Sequence, residues 1–77
     1  MIVALCDMRA GQRGIVADIC GGRGMVSRLH AMGLRPGMPI IKKSAQPMRG
    51  PVVVQVGQTE LAIGFGMARR IGVEVQE

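Results

Sequence analysis

Five side chains in the first half of the chain have the chemistry to ligate a metal: Cys6, Asp7, Asp18, Cys20 and His30, with seven methionine sulfurs besides. Imidazole suits zinc, copper, iron and nickel, and carboxylate oxygen suits harder cations such as magnesium and manganese. A site needs three or four such groups to converge, and no pair here has ligand spacing such as C-x-x-C or H-x-x-x-H. The sequence therefore predicts no metal ligands. His30, the single histidine, reads as a partly exposed surface residue. Cys6 and Cys20 read as small buried or half-buried thiols, and the methionines as aliphatic packing. Nucleophilic catalysis would have to draw on Ser27, Ser44, Thr59 or a cysteine, with His30 as base. Ser27 and His30 are three apart on a predicted helix and face similar directions. Nothing supplies a third orienting group or a recognisable oxyanion frame. No enzyme activity and no cofactor are expected. Gly21-Gly22-Arg23-Gly24 precedes the helix, where free N–H groups could meet an anion. The Walker lysine pattern is absent, so the cluster reads as a turn.

The elements that carry these residues are short. Residues 1–8 form an extended lead-in, and residues 8–13, with Gly11, a turn. Residues 14–20 are β-branched and bounded by glycine, hence a strand. Ile15, Ala17 and Ile19 share one of its faces, and Val16, Asp18 and Cys20 the other, partly wet one. Residues 25–32 follow a helical period, with Met25, Leu29 and Met32 on one stripe. Gly33 sits where a left-handed C-terminal cap belongs, with Leu34 as its hydrophobic contact. Pro36 stops the helix. Residues 35–38 fit a type II turn. Residues 38–44 are a strand, 45–51 a loop, and 52–56 and 59–63 two strands joined by a Gly57-Gln58 hairpin. A helical turn over 67–71 precedes a last strand at 73–75. Five short strands, one helix after the first and one turn before the last predict a small barrel.

Composition agrees. The chain has 77 residues, 48% of them hydrophobic and 19% charged, so it reads as one folded domain over 1–77. A chain this short has little room for an enclosed active site. Phe65 is the single aromatic residue. Grooves for proline-rich peptides and base-stacking platforms need aromatics and are excluded. The formal charge of +5 attracts nucleic acid, acidic membrane surfaces or an acidic protein. Only Lys42-Lys43 and Arg69-Arg70 are adjacent basic pairs, so there is no polybasic arm. Two cysteines without framework spacing suit a reducing compartment. The apolar N-terminus is too short for a signal peptide, and no run is long enough to span a membrane. A soluble, cytoplasmic protein is expected.

The order of these signals resembles the FeoA family, named for ferrous iron transport protein A. The resemblance runs from about Leu5 to Val75. It is carried by residues 8–16, by Arg28-Leu29-His30-Ala31-Met32-Gly33-Leu34-Arg35-Pro36-Gly37, by residues 49–54, and by Leu61-Ala62-Ile63 leading to residues 68–71. The R-L-x-x-[ML]-G-L-x-P-G segment is the most specific. The resemblance implies a mainly β, SH3-like barrel with a helical insertion between its first two strands. It further implies a cytoplasmic accessory protein that binds FeoB, the membrane ferrous iron transporter, and modulates its assembly or transport. A related fold forms the C-terminal domain of metal-dependent repressors of the diphtheria toxin repressor type.

The helix and the turn after it are the main insertion, so the partner-binding surface is expected at Arg28, Leu29, Met32, Leu34 and Arg35. Leu29 has a second reading, as core. Two rival functions are a basic barrel binding RNA or DNA and a self-associating, metal-sensing module. Missing aromatics weigh against sequence-reading RNA contacts. A homo-oligomer could form if residues 1–8 exchange between copies.

Overall fold

β-branched runs become strands here wherever glycine or proline ends them. The computed structural model describes residues 1–45 and 50–75. Its elements are β1 (Ile2–Ala4), a 3-10 turn (Leu5–Asp7), β2 (Arg13–Ile19), α1 (Arg23–Ala31), β3 (Pro39–Ala45), β4 (Val52–Val56), β5 (Thr59–Ile63), α2 (Phe65–Ala68) and β6 (Ile71–Val75). The strands form one antiparallel sheet in the order β1-β6-β2-β3-β4-β5. This is the SH3-like barrel that the family resemblance implies; all five expected strands are present, but the count is corrected to six, so the helical insertion follows the second strand and not the first. The extended lead-in supplies a sixth, since Ile2, Val3 and Ala4 pair with Glu74, Val73 and Gly72 of the same chain. The expected 45–51 loop is described only in part, because residues 46–49 lie outside the described residues.

Two local expectations are corrected. The second helical turn forms at Phe65–Ala68, not over 67–71. Ile71 already belongs to β6, where it pairs with Ile19 and is buried; sheet pairing of a β-branched residue wins over the helical pattern. In β2 the simple alternation fails as well. Val16 pairs with Val73 and Asp18 with Gly72, so Ala17 is an extra, bulged residue. A bulge shifts the parity of the strand. Gly14 and Val16 point inward before it, and Ile19 packs against the core after it. Ile15 is left on the outer face, 42% exposed.

The core is aliphatic and draws on every strand except β1, whose Val3 packs at its margin. Leu5 and Met8 plug it from the 3-10 turn side, and Leu29 and Leu34 from the α1 side. The end of α1 explains the second plug. The Leu34 N–H donates to the Leu29 carbonyl at 2.9 Å and the Gly33 N–H to the His30 carbonyl at 3.0 Å. This six-to-one plus five-to-two pattern is a Schellman motif, and it requires the φ of +93° that Gly33 adopts. Its hydrophobic contact is built in: both leucines turn into the core.

Candidate partner-binding surface

α1 begins without a side-chain cap. Gly22 is its N-cap residue, and no side-chain hydrogen bond is made there. The Gly21–Gly24 cluster is therefore split, because Arg23 and Gly24 already lie in the helix. The other end is electrostatically favourable, since Arg28 lies in the last turn, where the helix dipole favours cations. From residue 19 to residue 59 the chain has no Asp or Glu. The outer side of α1 and the turn after it thus present Arg23, Arg28 and Arg35, all exposed, with no acidic neighbour on the same element.

The five residues expected to form the partner surface divide. Arg28 and Arg35 are exposed, and Met32 is half-buried against the core. Leu29 and Leu34 are each 0% exposed. These two are not contact residues, and that part of the expectation is corrected. The cause is the Schellman motif, which spends its apolar pair on the barrel interior. The face that remains is Arg28, Met32 and Arg35, held from inside by the two leucines.

The candidate metal ligands are distributed over the molecule. Cys6 and Asp7 are neighbours, with the Cys6 thiol donating to the Asp7 Oδ1 at 3.9 Å. Asp18 lies over Gly72, at the place a Cβ there would need. His30 is half-buried on α1, as expected. Cys20 is exposed, which corrects the expectation of a buried or half-buried thiol; it follows the end of β2, beyond the bulge, where the chain leaves the sheet. Cys6 is partly buried. Burial, and next the Asp7 carboxylate beside it, push its thiol above the ordinary cysteine range, against the pull of the Lys42 and Arg69 cations. Among the described residues no three or more His, Cys, Asp or Glu side chains are grouped so as to hold a metal.

One functional group escaped the sequence reading. Lys42 is 3% exposed. Its ammonium donates to the main-chain carbonyls of Met8 and, at 3.1 Å, of Cys6. A period of two from buried Ile40 puts Lys42 on the inner side of β3. That phase was the available signal.

A six-stranded antiparallel barrel with two short helices, the apolar stripe of α1 turned inward and its exposed side basic, defines a small SH3-like domain. A family model described as the FeoA domain matches residues 3–75. The chain belongs to the FeoA family. A protein of Methanocaldococcus jannaschii, provisionally named Fe(2+) transport protein A, is 35% identical over 73 residues, covering 95% of this chain and 87% of that protein. Among solved structures, an iron uptake regulatory protein (FeoA) superposes with a TM-score of 0.91 at 41% identity, covering 99% of this chain and all of that one. A manganese-dependent transcriptional repressor superposes with a TM-score of 0.90 at 20% identity, over 97% of this chain and 42% of the repressor. At that identity the likeness is one of fold.

Proposed function

We propose that this chain is an accessory protein of ferrous iron uptake, acting in the cytoplasm. It binds the cytoplasmic region of the FeoB transporter and modulates its assembly or transport. Its work is recognition and not catalysis. The observation that carries the reading is the FeoA family match over residues 3–75, and the one-signed outer side of α1 supports a place for the contact. Arg28 and Arg35 offer charge to an acidic partner, Met32 an adaptable apolar contact between them. The net charge of +5 speeds encounter with such a partner.

The test is a calorimetric titration of the chain into the FeoB cytoplasmic domain at near-physiological salt and again at higher salt. Saturable, stoichiometric binding that survives the added salt is expected, and Arg28→Glu with Arg35→Glu weakens it. Absence of heat at either salt overturns the reading for that domain. Binding that collapses with salt points instead to nonspecific charge attraction.

A further inference from the structure

Among the described residues the exposed large apolar ones are Met1, Ile2 and Ile15, at 67%, 57% and 42%. Strand register gathers the two isoleucines. Ile2 pairs with Glu74, Glu74 with Ile15, and Ile15 with Pro39, across β1, β6, β2 and β3. Directly paired residues share a face of the sheet. The same register sets Arg13 opposite Ile41. An aliphatic row thus crosses the outer face of the sheet. The single carboxylate in that row, Glu74, is engaged by the Met1 ammonium.

The row ends in a groove of about 550 Å³. Its floor is Ile15, Pro39 and Ile41, and its wall is Arg9, Gln12 and Arg13. That volume lies within the range of roughly 300–1,000 Å³ typical of ligand sites. Hydrogen bonds brace the wall. Gly11 N–H donates to the Lys42 carbonyl at 2.6 Å, and Lys42 N–H to the Gln12 carbonyl at 3.0 Å. Gln12 Oε1 accepts from the Arg9 N–H at 2.9 Å. Lys42 Nζ holds the chain just upstream through Cys6 and Met8. Neither the Arg9 nor the Arg13 guanidinium has a carboxylate partner among the described residues, where the one ion pair is Met1 with Glu74. None of Arg28, Met32 and Arg35 lines the groove.

We propose that this groove binds an extended acidic segment of a partner protein. An aliphatic side chain of the segment lodges on Ile15, Pro39 and Ile41. A carboxylate near it in sequence pairs with Arg9 and Arg13, a geometry that arginine's fork of donors favours. Charge complementarity selects an acidic ligand. The floor selects a peptide over nucleic acid, because no aromatic residue lines it to stack a base. Its concave shape suits one side chain better than the flat surface of a bilayer. The site is separate from the α1 surface and does not rest on the transporter reading.

The experiment uses the full chain, isotope-labelled, and a panel of capped nonapeptides. Each peptide carries one leucine, isoleucine or methionine and two glutamates at varied spacing among glycine and serine. A matched panel has glutamine for glutamate. Saturable binding by a glutamate peptide is expected, with amide shifts clustered at Arg13, Ile15 and Ile41. The glutamine match and the Arg13→Glu variant each weaken it about tenfold, the scale of one charge-assisted bond. Ile15→Ser, on the outer face, also weakens it while the circular dichroism spectrum stays that of the folded chain. No binding across the panel, equal binding of glutamine peptides, or shifts centred on α1 overturns the proposal. So does a short RNA or a phosphatidylglycerol vesicle that shifts the groove amides more than any peptide.

Discussion

The Lys42 ammonium lies 3.1 Å from the carbonyl oxygen of Cys6 and donates to it. With its second bond, to the Met8 carbonyl, it satisfies two main-chain acceptors at the end of the barrel. Its own main chain bonds to Gly11 and Gln12. One residue of β3 therefore fastens the whole stretch from Cys6 to Gln12. Lys42→Ala leaves both carbonyls without their partner; an orphaned buried acceptor, such as that of Met8, costs about 1–3 kcal/mol, and the part-buried one of Cys6 less. A net loss of about 2 kcal/mol is expected, read as a lower urea midpoint with an unchanged slope. Amide exchange should quicken first at Gly11. A midpoint equal to that of the parent chain would show that the ammonium is not a clamp.

Leu29 and Leu34 are joined by the hydrogen bond that ends α1 and share the interior. Leu29→Ala removes a fully buried side chain, and such changes cost about 2–5 kcal/mol. Leu29→Asp also buries a charge with no partner and should abolish folding, seen as loss of the circular dichroism melt. Arg28→Glu, one residue away but exposed, loses only its favourable place at the helix C-terminus and should cost no more than about 1 kcal/mol. A folded Leu29→Asp chain would place that residue on the surface after all. The contrast separates the helix's packing role from its contact role.

The hairpin at Gly57-Gln58 was legible because its signal is local: glycine between two β-branched runs. The same is true of the stop at Gly33 and of the barrel class. What could not be read depends on contacts remote in sequence. A three-residue strand such as Ile2–Ala4 carries too little alternation to announce itself, and its partner, β6, lies at the other end of the chain. The bulge at Ala17 is set by pairing with β6, so the outward turn of Ile15 was hidden too. At the candidate surface, the helix-ending pattern reads equally as a cap and as a set of contact residues. Leu29 and Leu34 belong to the cap, and caps of this kind pack inward. Lys42 was masked by its neighbour: beside exposed Lys43 it reads as half of a solvated pair.

Gly14 meets β6 at close range. A Cβ built there lies 2.5 Å from Val73 Cγ1 and 2.7 Å from the Glu74 carbonyl oxygen. The valine can rotate, but the carbonyl is held in the β2–β6 ladder. Gly14→Ala therefore forces the two strands apart and should cost about 1–3 kcal/mol, the usual range for overpacking. Thermal melting measures the loss. Because Gly14 also lines the groove, the variant should disturb amide shifts at Ile15 and Ile41 even where it remains folded.

The two cysteines should be told apart by a thiol reagent. Cys20 is exposed, whereas Cys6 is partly buried and its thiol is held above the ordinary range by burial and by Asp7. A thiol's reactive form is the thiolate. Raising the pKa of an acid keeps it neutral to higher pH, so the alkylation rate of Cys6 should climb at higher pH than in the unfolded chain. Mass spectrometry of iodoacetamide-treated protein at neutral pH should find the first label on Cys20. Asp7→Asn removes the nearby negative charge, so the Cys6 rate profile should move back toward lower pH. A profile that stays in place would leave burial as the whole cause.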